Sequence, residues 1–179
     1  MTVRSADPAR DAAACAAIYA PFVERTAVSF EETAPSAEDF AAKIAQLGAT
    51  HPYLVCERDG QVAGFAYGTR HRERAAYRWA ADVSVYVDPA WHRRGVGRAL
   101  YVELLERLRA QRFQIACAGI TLPNHASVGL HESLGFERVG VYRGIGWKAG
   151  AWRDVGWWQL RLIPPHGGGA PPPEPLPPA

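Results

Sequence analysis

The stretch from Asp82 to Arg109, DVSVYVDPAWHRRGVGRALYVELLERLR, constrains the chain more than any other. Val83, Val85 and Val87 alternate with Ser84 and Tyr86, the period-two pattern of a strand with two different faces. Asp88-Pro89 ends that strand, because proline brings no ladder donor and fixes φ at a turn value. From Gly97 onward Leu100, Leu104, Leu105 and Leu108 recur at helical spacing, and Arg98, Glu103, Glu106, Arg107 and Arg109 supply the wet side. The unit is a strand, a basic glycine loop and a helix.

A helix start presents unpaired N–H groups and a partial positive charge, and glycines there let a ligand approach bare backbone. The loop RRGVGR adds Arg93, Arg94 and Arg98 to Gly95, Val96 and Gly97, so a pyrophosphate is the natural guest. A solvated basic turn accounts for the same residues equally well at this stage. A dinucleotide fingerprint needs a third glycine where Leu100 stands, and no G-x-x-x-x-G-K-[ST] run is present. Any phosphate cradle here is of another kind.

Bulk properties narrow the class. A chain of 179 residues with 48% apolar content suits one α/β domain with a sizeable core. The formal charge of +2 argues against nucleic-acid or membrane partners, while Arg70, Arg72, Arg74 and Arg78 form a second local cluster suited to a small anion. Cys15, Cys56 and Cys117 read as buried free thiols of a reducing compartment, and no transmembrane run or signal peptide is seen, so a cytoplasmic protein is expected. None of the six histidines shows metal-ligand spacing, and no metal is expected.

In chain order, a strand near Val3 leads to an amphipathic helix opened by Asp7-Pro8 and running from Ala12 to Val23, and Ser36 starts a second helix ending at Gly48. Asp59-Gly60 marks a hairpin between Tyr53–Arg58 and Val62–Tyr67. In an extended segment Arg72 and Arg74 would alternate and reach one acidic group together, although a solvated charged loop fits them too. Ile115–Ile120 reads as a buried parallel strand, Asn124 as the cap of a short helix ending near Gly135, and Glu137–Arg143 and Val155–Leu162 as final strands joined by a Gly- and Trp-rich loop. Trp147, Trp152, Trp157 and Trp158 are expected to line a pocket wall or a dimer contact, hence a homodimer. Residues 1–163 form the domain, and 164–179 are expected to be a disordered Pro/Gly-rich tail.

SVYVDPAWHRRGVGRAL followed by LPNHASVGLHESLGF resembles the two motifs of the GCN5-related N-acetyltransferases. With TAVSFEE, RAAYRWAADVSVYV and GAWRDVGWWQL, in order from about Val3 to Leu162, the chain is similar to the phosphinothricin and methionine sulfoximine acetyltransferase branch. The resemblance implies a single domain with a mixed, mostly antiparallel sheet flanked by about four helices. It implies acetyl-coenzyme A as cosubstrate, gripped by the loop of Arg93, Arg94, Gly95, Val96, Gly97 and Arg98, with Val85, Tyr86, Val87, Asn124 and Ser133 along its arm. His92 stands where that motif usually has Gln or Arg, which puts cofactor affinity in question.

The resemblance also assigns the chemistry. Asp82 takes the place of a glutamate base and is one methylene shorter, and His131 takes the place of a general acid, able to donate to the departing sulfur or to help accept the amine proton. Phe30, Glu31, Arg72, Arg74 and Tyr77 are the expected acceptor contacts. An α-amino group near 7.7 to 8.0 is already about a tenth free amine at neutral pH, whereas a lysine amine near 10.4 costs about 4.6 kcal/mol to deprotonate. A short carboxylate therefore suits an amino-acid acceptor better than lysine. The other readings are an acetyltransferase acting on protein N-termini or other amines, and a catalytically weak acetyl-coenzyme A binding module.

Overall fold

The computed structural model describes residues 1–164 and 169–178. Its elements run β1 (Thr2–Ser5), α1 (Pro8–Arg25), α2 (Ala37–Gly48), β2 (Tyr53–Arg58), β3 (Gln61–Arg70), β4 (Ala80–Val87), α3 (Val96–Ala110), β5 (Ile115–Leu122), α4 (His125–Ser133), β6 (Glu137–Lys148) and β7 (Ala151–Arg161). Seven strands form one sheet in the order β1-β2-β3-β4-β5-β7-β6. Every neighbouring pair is antiparallel except β4 and β5. No helix of the described residues is long and apolar enough to cross a membrane.

Strand alternation splits the interior into two layers. Tyr53 and Val55 of β2 and Phe65 and Tyr67 of β3 pack against α1 and α2, while Leu54, Cys56 and Ala66 face the Leu100, Leu104 and Leu108 stripe of α3. The leucine stripe seen in the sequence is thus the seam between α3 and the sheet, each fully buried leucine contributing about 2–3 kcal/mol. Local signals set the element ends. Asp7 accepts from the N–H groups of Ala9 and Arg10 at 2.8 and 3.0 Å to start α1, and Ser36 with Asp39 makes a capping box on α2. Asp59 and Gly60 both take positive φ, 51° and 77°, as a two-residue hairpin demands.

Two sequence expectations need correcting. The Gly- and Trp-rich segment before Val155 is no loop, because β6 and β7 continue through it to a tight turn at Ala149-Gly150, both at positive φ. The run after Arg70 is not extended but bends into a 3-10 turn at Ala75–Tyr77. The described residues of the tail, 164 and 169–178, form no helix or strand but contact the domain. Leu176 exchanges N–H···O bonds with Gln111, the Trp79 indole donates to the carbonyl of Pro173, and Glu174 pairs with Arg78 at 2.6 Å. Backbone groups docking on Gln111 offset what proline-rich composition denies the segment in apolar burial. The expectation of a disordered tail at residues 165–168 and 179 lies outside the described residues.

Gly64 is the close-packing point between β3 and the end of β4, where an added Cβ would come within 2.7 Å of the Tyr86 carbonyl oxygen and 3.2 Å of Val96. Gly64→Ala is expected to cost about 1–3 kcal/mol, read as a lowered urea midpoint; an unchanged midpoint would show that β4 can shift freely there.

Candidate active site

β4 and β5 pair only from Ala80–Asp82 to Ile115–Cys117, and beyond that rung they part. β5 keeps its full-length partnership with β7, so the sheet opens on one side of β4. The cleft between them is lined by Val83, Val85 and Tyr86 of β4, by Ile120 and Thr121 of β5, and by Asn124, Ser127 and His131 at and along α4, with Tyr101 and Val28 also reaching it. Its two ends are chemically different.

At the outer end β4 delivers the chain to the start of α3. Gly95, at φ 82°, is the helix N-cap with no side-chain cap, and nothing lies within 4 Å of where its Cβ would be. The first hydrogen bond into the helix is Ala99 N–H to Gly95 O, so the N–H groups of Val96, Gly97 and Arg98 are those that helix geometry leaves without an internal acceptor. Gly97 also permits close packing, since its bare Cα admits Leu130 and Val87 at 3.3 and 3.5 Å from a Cβ position. Arg93, at φ 59°, and Arg94 are exposed, Arg94 lying over the Trp91 ring at 5.3 Å. Arg98 instead reaches across to Ser133, donating to its hydroxyl at 3.2 Å, so these two residues lock α3 to α4. His92 donates from Nε2 to the carbonyl of Val87 at 2.9 Å and braces the loop against its strand. A strongly anionic group fits this end, with open backbone, a helix dipole and two free guanidiniums.

At the inner end, where the strands part, Asp82 is partly buried and meets His71 at 2.6 Å between Oδ1 and Nδ1. Burial raises the Asp82 carboxyl above its ordinary value, opposed by the His71 bond and by the charge of Arg72. Cys117, the parallel partner of Asp82, brings its thiol near, and the three ligand-type atoms of His71, Asp82 and Cys117 all lie within 4.8 Å of one another. Burial first, and then Asp82, push the Cys117 thiol up to about 11, so at neutral pH it is a thiol and not a nucleophile. Arg72 lies over the Trp157 ring at 5.7 Å, and Tyr77 stands edge-on to His71 at 5.7 Å. Trp157 packs against His71 and Arg72, while Trp158 is buried in the core and Trp147 and Trp152 meet edge-on in solvent.

Other expected site residues fall differently. Arg74 is exposed at the start of the 3-10 turn, with no side-chain hydrogen bond among the described residues. The Phe30 ring lies over Gly146 where any side chain would collide with it, and the Glu31 carbonyl accepts from Lys148, so both tie the α1–α2 linker to the β6–β7 hairpin. Asn124 caps α4 by accepting from the Ser127 N–H at 3.1 Å. His131 is 2% exposed, and Nδ1 donates to the Ser127 carbonyl at 2.7 Å, leaving Nε2 to accept from Tyr101 at 3.0 Å. With both nitrogens hydrogen-bonded inside the protein, His131 lines the cleft while joining α4, through Ser127, to α3, through Tyr101.

His71, Cys117 and Tyr101 were not singled out as site residues by the sequence. Linear spacing hides them, because His71 and Asp82 lie on either side of the β3–β4 pairing, in which Arg70 faces Ala81. That register was the one signal that could have joined them.

The Acetyltransferase (GNAT) domain family model matches residues 4–157, and the chain belongs to this family of acetyltransferases. Among its relatives, phosphinothricin N-acetyltransferase of Streptomyces viridochromogenes is 39% identical over 151 residues, 84% of this chain and 82% of that protein. L-methionine sulfoximine/L-methionine sulfone acetyltransferase of Salmonella typhimurium is 36% identical, over 90% of this chain and 95% of its own length. The structure of yncA from Salmonella typhimurium with its cofactor acetyl-CoA matches with a TM-score of 0.88 at 35% identity, covering 95% of this chain and 98% of the other. A GNAT superfamily phosphinothricin acetyltransferase from Sinorhizobium meliloti in complex with AcCoA matches at 0.85 and 35% identity, covering 90% and 88%.

Burial lowers the affinity of His131 and of His51 for a proton. A depressed folded value means the unfolded chain takes up protons first, so stability held above about 6.5, the ordinary imidazole value, is lost as pH falls below it. The melting temperature is therefore expected to drop from about pH 6.5 to 5, and to drop less in His131→Gln; equal slopes in the two proteins would mean that His131 does not titrate on unfolding.

Proposed function

We propose that the chain transfers acetyl from acetyl-coenzyme A to the α-amino group of a small amino-acid-like acceptor, of the phosphinothricin, methionine sulfoximine or methionine sulfone type, by direct attack in a ternary complex. One observation carries this reading: β4 runs from a partly buried carboxylate, Asp82, to a cationic helix start, and β5 leaves it between the two. The five strand steps from Asp82 to Val87 span roughly 17 Å, so the two ends are served by a long arm between an anionic head and a reactive tip. Acetyl-coenzyme A has that form.

The loop N–H groups of Val96, Gly97 and Arg98, with Arg93 and Arg94, hold the diphosphate. Backbone groups of Val85 to Val87 on the side that β5 has left are available to the arm and to the thioester carbonyl. Asn124 lines the same cleft. Arg72 and Tyr77 stand beside Asp82 and give an acidic acceptor its counter-charge and its wall, with Arg74 at the rim. Asp82 lies where the acceptor ammonium must lose a proton, and a partly buried carboxylate supplies the driving charge. A second proton shed by nitrogen on forming the amide ends on the sulfur of coenzyme A. None of these steps needs a metal ion.

The same reading takes the protein as a homodimer and as cytoplasmic. Val139, Tyr142, Ile145, Trp147 and Trp152 leave an apolar surface along the sheet edge at β6, which suits a second copy, and three free cysteines suit a reducing compartment.

A thiol-release assay with methionine sulfone, methionine sulfoximine and phosphinothricin tests the proposal, turnover being expected with at least one; coenzyme A binding without turnover of any amine would replace the enzyme by a binding module. Asp82→Asn is expected to lower kcat/KM about 10 to 100-fold, most at pH values below the amine pKa, and unchanged kinetics across pH would remove Asp82 from the reaction. Arg93→Glu with Arg94→Glu is expected to raise KM for acetyl-coenzyme A about tenfold or more while kcat changes less. Wild-type affinity for coenzyme A in that variant, by isothermal titration, would put the cradle elsewhere.

A further inference from the structure

We propose that the group accepting the acceptor's proton is His71, with the Asp82 carboxylate holding and charging it from behind. The inference rests on the acetyl-transfer reading above and names the base within it. Asp82 is a short side chain, and the atom it would offer to a substrate is already committed, since Oδ1 lies 2.6 Å from His71 Nδ1. With the carboxylate ionised, Nδ1–H donates to Oδ1 and the lone pair of the imidazole is placed on Nε2, the opposite corner of the ring. Among the described residues Nε2 has no hydrogen-bond partner, and it is not sealed from solvent.

The ring is fixed by more than the carboxylate. Tyr77 packs edge-on at 5.7 Å and Trp157 edge-on at 6.1 Å, so the imidazole cannot swing out of the acceptor side of the cleft without breaking both contacts. The charged and titratable groups around it are Asp82 on β4, Cys117 on β5, Arg72 on its own segment and Tyr77 on the 3-10 turn. Only Asp82 carries negative charge at neutral pH, because the Cys117 thiol stays protonated. The Nδ1 corner of His71 thus faces one partly buried carboxylate. Arg72, over the Trp157 face, is the one cation of this group, and its charge also favours the ionised form of Asp82.

The protons balance as follows. The bond between nitrogen and one ammonium proton breaks and that proton goes to Nε2, giving an imidazolium–carboxylate pair and a neutral amine. The amine attacks the thioester, the carbon–sulfur bond breaks, and the second nitrogen proton ends on the thiol. His71 then returns its proton to solvent.

The experiment is the thiol-release assay on the full chain with methionine sulfone, run from acid to alkaline pH on wild type, His71→Ala and Asp82→Asn, with and without added imidazole. His71→Ala is expected to lower kcat/KM for the acceptor by about a hundredfold, to lose the acid limb belonging to the dyad, and to regain rate with imidazole in solution while coenzyme A affinity stays at the wild-type value. Asp82→Asn is expected to move that limb without gaining from imidazole. A His71→Ala protein with wild-type kcat/KM across pH, or one whose lost activity imidazole does not restore despite normal coenzyme A binding, would overturn the assignment. Wild type turning over no amine would instead fail the acetyl-transfer reading, a distinct result.

Discussion

Everything at the site follows from β4 losing its parallel partner after one short ladder. Three residue pairs join β4 to β5, and from there β5 stays with β7 along its whole length. A strand in mid-sheet that gives up a neighbour leaves amide and carbonyl groups facing a gap, and a buried polar backbone group without a partner costs about 1–3 kcal/mol. The gap is tolerable only if water or a ligand with its own amides fills it. Parting the strands therefore makes a slot whose walls are hydrogen-bonding backbone, and it points that slot at a particular pair of residues, Asp82 and Cys117, where the ladder ends.

The two ends of the slot then acquire opposite electrostatics from opposite causes. At the α3 end the positive potential comes from helix geometry, from a positive-φ glycine and from arginines held in solvent. At the ladder end a partly buried carboxylate is pushed toward its neutral form by burial, opposed by its hydrogen bond to the imidazole beside it. The space between is lined by valine, isoleucine and tyrosine, and the hydrogen-bonded Tyr101–His131 pair forms part of the same lining. That pair is hydrogen-bonded to itself and joins α4 to α3.

Much of this was legible in the sequence because it is local. The valine alternation, Asp88-Pro89, the glycine loop and the leucine stripe gave β4, the turn and α3, and Asp59-Gly60, Asp7 and Ser36 gave a hairpin and two helix starts. The parts that were hidden depend on which distant residues the register brings together. His71 and Asp82 are 11 positions apart and meet only because β3 and β4 pair as they do. Glycine and tryptophan around position 150 suppressed the strand signal of a hairpin that the edge of the sheet nonetheless stabilises. His131 was visible as a residue but not as a closed pair, since nothing in a linear pattern predicts that Tyr101 lies under it.

Amide hydrogen exchange with and without coenzyme A tests the central claim most directly. The account predicts slowed exchange in two separated segments together, the α3 start at residues 95–98 and the β4 stretch at residues 84–87, with little change along β6. Protection elsewhere, with both segments exchanging as fast as in the free protein, would contradict it.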